Sequence, residues 1–290
     1  MNQGRQISAV IPSFNNEETI AICLESVISN KADEVIVVDG GSTDKTLELA
    51  SAFDGIKILT GVKGIAKAKD VGWRISEGQL VLFLDADAYM APHTVDALRS
   101  YLSSPEIAGV SCRVACANPQ RLLPRLRDFD FHLTYQEEFE TASVIDCVAD
   151  PTICGLLRRR ALEDVNGFDL DYPYAEDLKL LQKLRRRGYR VLMVHEPSVH
   201  HYHRERWRDM WRQLYHHGIG RGILIEETRQ QFYSKKNPMK FAVQFLRNGP
   251  KAGPSILFVY PLFRLITETA FFIGYLRGRL LGETRLESES

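Results

Sequence analysis

From Ile7 onward the chain alternates short β-branched runs with longer amphipathic stretches, a rhythm that leaves few folds open. The runs Ile7–Ile11, Glu34–Val38, Ile56–Leu59 and Leu80–Leu84 have the length and composition of strands. Between them, residues 17–29, 43–52 and 65–76 carry apolar side chains at helical spacing, as at Ile20, Leu24, Val27 and Ile28. Strands separated by a helix are joined by crossovers, so neighbours run parallel and helices cover the sheet. With short connections bearing Gly or Asp, the pattern predicts a nucleotide-binding half-domain.

After Asp87 the rhythm loosens. A helix is expected from Pro92 to about Ser103, a strand near 107–115, and a charged helix across 121–140 that contains Pro124. The pattern returns with a strand at Thr152–Leu157, a helix from Ala175 to Arg187 closed by Gly188, and strands near 190–194 and 198–203. No internal repeat or low-complexity segment interrupts it. Residues 204–222 are rich in Arg, His and Trp, and residues 255–281 are apolar with interspersed charge. A membrane-spanning helix needs about 20 nearly uncharged residues, and Arg264 and Glu268 fall mid-segment. An in-plane or hairpin membrane contact is therefore expected, with Arg264, Arg277 and Arg279 reaching headgroups. The alternative is a C-terminal helix folded back on the core.

The charge balance, 37 basic against 37 acidic residues, offers no global field for nucleic acid, and no nucleic-acid partner is expected. An apolar share of 44% among 290 residues is enough for a sizeable core. Five cysteines without C-x-x-C spacing read as reduced, buried thiols; Cys112 and Cys116 lack the second pair that a metal site would need. The chain passes from a polar leader straight into Ile7 with no signal-peptide pattern, so a cytoplasmic catalytic body is expected.

Four clusters can carry chemistry. Asp39 follows Val35–Val38 and precedes Gly40-Gly41-Ser42-Thr43-Asp44; beyond a strand end such a carboxylate can accept hydrogen bonds from a base or ribose, though Asp- and Gly-rich turns also serve purely local ends. Asp85-Ala86-Asp87 ends the strongest apolar run of the first half, and residues i and i+2 of a strand point to one side. Two such carboxylates plus a pyrophosphate are what Mg²⁺ or Mn²⁺ needs, the bland reading being a polar turn. Glu176-Asp177 opens a helix, either as simple capping or as a general base. His200, His201 and His203 adjoin Arg204, Arg206 and Arg208, which suits a metal ligand and, at Arg204, a clamp on donor phosphates; a basic helix face on anionic lipid is the competing reading.

These elements resemble, in order and setting, the family 2 glycosyltransferases, inverting enzymes of GT-A fold. The matching stretches are VIPSFNNEET (10–19), VIVVDGGSTDKT (35–46), residues 64–87, residues 154–184 and residues 199–222. The resemblance implies a Rossmann-like, mostly parallel α/β sheet flanked by helices, with a C-terminal helical, membrane-associated extension. It implies a catalytic domain over 1–203, nucleotide-sugar binding in 1–90 and the acceptor side in 91–203, followed by the helical region 204–290. By that resemblance Pro12, Phe14 and Glu17 contact the nucleoside, and Asp39 the base or ribose. Lys67 or Lys69 meets the donor, where family members often carry A-x-x-R-N and this chain has Ala66-Lys67-Ala68-Lys69-Asp70. Asp85 and Asp87 hold Mg²⁺ or Mn²⁺, and His201, with His203 as second choice, completes the site. Asp177 of the Glu176-Asp177 pair is the base. The family's Q-x-x-R-W is absent as such, and Trp211-Arg212-Gln213 with Gly218–Gly222 resembles its divergent form in non-processive members.

The partners implied are a nucleotide-sugar donor, a lipid-linked or glycan acceptor, and the inner face of the cell membrane, where the enzyme is peripheral. Two rival readings differ in kind. A haloacid-dehalogenase-like phosphatase would use Asp85 as a covalent nucleophile, but its D-x-D normally stands on the first strand and here it follows three βα units. A non-catalytic membrane adaptor on the same fold has no need of these carboxylates.

Overall fold

The computed structural model describes residues 7–147, 151–170, 172, 174–228 and 238–289. Its first elements are β1 (Ile7–Ser13), α1 (Ile20–Ser29), β2 (Glu34–Asp39), α2 (Thr46–Ser51), β3 (Ile56–Leu59), α3 (Ile65–Ile75) and β4 (Leu80–Leu84). There follow β5 (Ala88–Met90), α4 (Thr94–Ser100), β6 (Ile107–Cys116), α5 (Leu122–Thr141), β7 (Val144–Asp146), β8 (Cys154–Arg158) and α6 (Arg159–Asp164). The chain ends with α7 (Glu176–Arg186), β9 (Arg190–His201), α8 (Trp207–Thr228), α9 (Pro238–Ala252) and α10 (Pro254–Glu289). Two compact units result, Met1–Ala117 with Glu138–Tyr202, and Asn118–Glu137 with His203–Ser290. Where the sequence suggested a single division at 203/204, residues 118–137 group with the C-terminal helices, because Leu123, Leu126, Phe129 and Leu133 bury their side chains there.

In the first unit the strands run in the order β3-β2-β1-β4-β8-β6-β9-β5, with β7 on β9. The β3-β2-β1-β4 portion is parallel, as the βα rhythm dictates. β8 enters antiparallel to β4 and β6, and β6 pairs parallel with β9. Alternation along the strands sorts their side chains into two layers. Ala9, Ile11, Val35, Val37, Leu82 and Leu84 pack with Ile20, Leu24 and Val27 of α1 and Leu98 of α4. Val10, Ile36, Val38, Val81 and Phe83 pack on the other face with Trp73 of α3, Leu162 of α6 and Leu180, Leu181 and Leu184 of α7. Each buried Val, Leu, Ile or Phe among them stabilises by about 1.5–3 kcal/mol, and the two layers fix the level at which the strands end.

Instead of strands at 190–194 and 198–203, β9 is one strand: Val194 pairs with Cys112, three residues bulge out, and Ser198 resumes with Arg113. The five cysteines are free thiols and all but Cys116 are buried. Gly188, at φ 83, takes the left-handed position that ends α7.

In the second unit, Leu126 and Phe129 of α5 pack with Met210 and Leu214 of α8 and with Ile256, Tyr260 and Phe263 of α10. α8 and α10 approach backbone to backbone. A Cβ on Gly274 would lie 2.0 Å from the Tyr215 carbonyl oxygen, and one on Gly218 would lie 2.1 Å from that of Phe271. Residues 215 and 219 face 274 and 278, so the two helices run parallel with small residues at the seam. Arg264 does not reach outward as the sequence suggested. Its Nη1 donates to Asp130 Oδ1 at 2.6 Å, beside the Tyr260 hydroxyl, which donates to the same oxygen at 2.7 Å, and its Nη2 pairs with Glu268. Both mid-segment charges are thus answered within the unit. Pro254–Gly282 is long and apolar enough to cross a membrane by length and composition.

Candidate active site

Val81–Leu84 are buried, and the chain leaves the carboxyl edge of the sheet at Asp85. The Asp85 N–H donates to the Ile153 carbonyl at 3.0 Å, just before β8, and the Ala88 N–H donates to the Asp85 carbonyl at 2.9 Å. This turn feeds β5, where Ala88 pairs with His201 on β9, and the Tyr202 N–H donates to the Asp87 carbonyl at 2.9 Å. The last core strand thereby carries an imidazole to the D-x-D turn: His201 Nε2 lies 3.1 Å from Asp87 Oδ1. Among the described residues, Asp85, Asp87 and His201 present ligand atoms within 4.8 Å of one another.

The fit to a cation can be judged from the carboxylates. Asp85 Oδ1 is buried and makes no hydrogen bond. Burial pushes the Asp85 carboxyl up to about 6, against the pull of the Lys69 charge and with a further push from Asp87. A carboxylate in that position is short of positive charge. Two carboxylates and an imidazole at a sheet edge suit a divalent cation of the Mg²⁺ or Mn²⁺ type.

Lys69, from α3, is buried behind these groups rather than exposed to a donor. Its Nζ donates to Thr152 Oγ1 at 2.8 Å and Glu176 Oε1 at 3.1 Å, and stands 3.5 Å from Asp85 Oδ1. Burial alone would favour loss of its proton, but the Asp85, Glu176 and Asp177 carboxylates outweigh that and hold Lys69 firmly charged. Lys67, two residues earlier, is exposed. Of the pair opening α7, Glu176 is buried on Lys69 while Asp177 is half-buried, its Oδ1 accepting the Leu178 N–H at 2.8 Å. Of the two, it is thus Glu176 that grips Lys69.

At the ends of β1 and β2 the two loops interlock. Asp39 is fully buried and accepts the N–H groups of Gly41 at 2.7 Å and Ser42 at 2.8 Å. The Lys45 N–H donates to Glu17 Oε2 at 3.0 Å, the Thr43 N–H to Asn15 Oδ1 at 2.9 Å and the Asn15 N–H to Ser42 Oγ at 2.8 Å. Pro12 is buried in β1, and Phe14 stands out from this platform, 61% exposed. Phe14, Glu17 and Asp39 therefore share one loop cluster at the ends of β1 and β2.

His203 and Arg204 belong to the second unit. The His203 ring stacks on Phe131 at 5.9 Å and its backbone N–H donates to Asn118 Oδ1 at 3.1 Å, while the carboxylate group contains His201. Arg204 is exposed. His200 stacks on Tyr89 at 4.9 Å. Thr152 was not singled out from the sequence; its one signal is its place at the head of the strand expected at Thr152–Leu157.

Comparison with known proteins shows the family and the fold. Residues 8–165 match the profile described as glycosyl transferase family 2. The O-antigen chain rhamnosyltransferase RfbN of Salmonella typhimurium is 26% identical, over 94% of this chain and 90% of its own length. The poly-beta-1,6-N-acetyl-D-glucosamine synthase of Staphylococcus aureus is 29% identical over 64% of this chain, which spans only 47% of that relative. Among solved structures, mannosyltransferase PcManGT from Pyrobaculum calidifontis, in complex with GDP-Man and Mn²⁺, superposes with a TM-score of 0.67 at 19% identity, covering 97% of this chain and 88% of that one. Staphylococcus aureus TarS residues 1–349 in complex with UDP gives 0.55 at 17% identity, over 98% and 92%. None of these relatives is a phosphatase.

Proposed function

The chain belongs to glycosyl transferase family 2, and we propose that its reaction, transfer of a sugar from a nucleotide-sugar donor, runs at the carboxylate turn by an inverting displacement assisted by Mg²⁺ or Mn²⁺. The observation that carries the assignment is the convergence of Asp85, Asp87 and His201 at the end of β4. These three residues would hold the cation. When bound, such a cation neutralises charge on the departing nucleoside diphosphate, usually the largest electrostatic contribution to a transfer of this kind.

In this reading the catalytic region is 1–203, with the nucleotide sugar in 1–90 and the acceptor side in 91–203. Pro12, Phe14, Glu17 and Asp39 bind the nucleoside, Lys67 and Arg204 offer positive charge to the donor, and Asp177 takes the proton of the acceptor hydroxyl. Glu176 and Lys69 stand behind it. A likeness to relatives named for O-antigen and glucosamine-polymer synthesis supports a glycan or lipid-linked acceptor.

We place the protein peripherally on the cytoplasmic side of the membrane, and the outward face of α10 supports the contact with lipid. Phe258, Leu262, Leu265, Phe272, Leu276 and Leu280 are exposed along one side of the helix, whereas the inward side narrows to Ala270, Gly274 and Gly278. Over residues 270–280 large apolar groups lie outside and small ones at the seam, which inverts the pattern of a helix in water and suits one in contact with lipid. An acceptor carried on a lipid is then presented by diffusion in the same plane.

A panel of UDP-, GDP- and dTDP-sugars tested by thermal shift with and without Mn²⁺ tests the donor reading. One class at about 100 times its dissociation constant should stabilise the protein by about 2.7 kcal/mol, and only with the cation. No shift with any donor and cation would count against it.

A further inference from the structure

Lys69 is the one donor-side residue whose surroundings differ most from what the sequence led us to expect. The ammonium has three N–H groups. Two of them have acceptors, Thr152 Oγ1 at 2.8 Å and Glu176 Oε1 at 3.1 Å, and the charge also pairs with Asp85 Oδ1 at 3.5 Å. The residue is 2% exposed, so its ammonium faces these three groups and not the solvent side from which a donor would arrive. Its partners come from three segments, the end of β4, the approach to β8 and the first turn of α7, while Lys69 itself rides on α3.

The first turn of α7 is where such a tie matters. Its N-cap position is Ala175, in the left-handed region at φ 64, a residue with no side-chain oxygen to cap the helix. A non-glycine residue held there is strained and stays only when its neighbours fix it. Lys179 reaches the Tyr172 hydroxyl one turn further on, and Lys183 reaches the Gly167 carbonyl one turn beyond that, but the first turn is gripped from inside through Glu176. Asp177 is the next residue.

We propose that Lys69 is a positioning residue: by bridging Glu176 to Asp85 and Thr152 it sets where the first turn of α7, and with it Asp177, stands relative to the carboxylate turn. The inference rests on the transfer reading above, with Asp177 as base. It assigns Lys69 to the placement of the base and not to the affinity for donor.

The test is steady-state kinetics of the full chain with its donor and a divalent cation, for Lys69→Met, Glu176→Gln, the double variant and Lys69→Arg. Each single neutral change breaks the same bridge, so kcat should fall by about 10²-fold in each while the donor KM moves by no more than about threefold. The double variant should fall no further than the worse single one, because the two effects are one interaction. Lys69→Arg, which keeps the charge and can span both carboxylates, should recover kcat to within about tenfold of wild type. A raised donor KM with unchanged kcat in Lys69→Met would assign Lys69 to the donor and overturn the proposal, as would multiplicative losses in the double variant. If Lys69→Met does not fold, Glu176→Gln decides alone: a wild-type kcat in that near-isosteric variant overturns the bridge. A folded wild type that turns over no nucleotide sugar defeats the transfer reading itself, a failure distinct from an active enzyme indifferent to these changes.

Discussion

A carboxylate that takes a proton from an alcohol must be ionised and within reach of the acceptor. Asp177 is half-buried in the first turn of α7, and it is Glu176, not Asp177, that takes the ion pair with Lys69. Asp177→Asn should therefore leave donor affinity within about twofold while kcat falls by about 10²–10⁴-fold. Loss of donor affinity at a near-normal kcat would instead make Asp177 a donor ligand. A second residue reports on stability alone. Burial works to raise the Glu34 carboxyl, but Lys57, the Ser8 hydroxyl and the Glu77 N–H together hold it below its ordinary value of 4.5. A depressed native pKa contributes stability that is present above the ordinary value and lost as pH falls through the native one. The melting-temperature deficit of Glu34→Gln should accordingly be full near about pH 7 and shrink as pH drops below 4.5; a deficit that does not change with pH would contradict this. Asp85, Asp87 and Glu176-Asp177 were legible because a strand end and a helix start are local signals. The role of Lys69 was not, since its burial depends on β8 and α7 arriving from about a hundred residues away.

At the scale of elements, the seam between α8 and α10 is the feature most exposed to test. Gly274→Leu places a side chain against the Tyr215 carbonyl, where a Cβ alone would lie at 2.0 Å, so the helices must part. A loss of about 1–3 kcal/mol or more is expected, read by denaturant unfolding, whereas Leu276→Gln on the exposed face should stay within about 0.5 kcal/mol. Equal effects of the two would mean the seam is not closed. The outward face carries the membrane proposal. Replacing Phe258, Leu262, Leu265 and Phe272 together by Gln should abolish sedimentation with anionic liposomes without altering far-ultraviolet circular dichroism, and unchanged sedimentation would refute a lipid-facing α10. Truncating the chain before this helix is a poorer test, because Ile256, Tyr260 and Phe263 supply the core that covers Leu126, Phe129, Met210 and Leu214. The parallel strands and their helices were readable from period alone. β5 and β7, three residues each, were not, because such short strands exist only through pairing with β9. The apolar character of 255–281 was visible, but not that Arg264 and Glu268 would be answered by Asp130 and by each other.

For the whole molecule, fold and reaction class follow from elements in a fixed order, whereas the sugar and the acceptor depend on loop shape that no motif encodes. RfbN, aligned over nearly the full chain at 26% identity, places the C-terminal helices within the shared region without fixing either substrate. The central claim is that Asp85, Asp87 and His201 hold a divalent cation that the transfer requires. The most direct measurement is release of nucleoside diphosphate from the donor that the thermal-shift panel selects, with Mn²⁺ or with excess chelator, for wild type and Asp87→Ala. Turnover should vanish in chelator, return when Mn²⁺ is restored, and in Asp87→Ala demand cation concentrations raised beyond the roughly 10–100-fold that loss of an outer partner costs. Undiminished turnover in excess chelator, or an Asp87→Ala variant with the cation requirement of wild type, would contradict it.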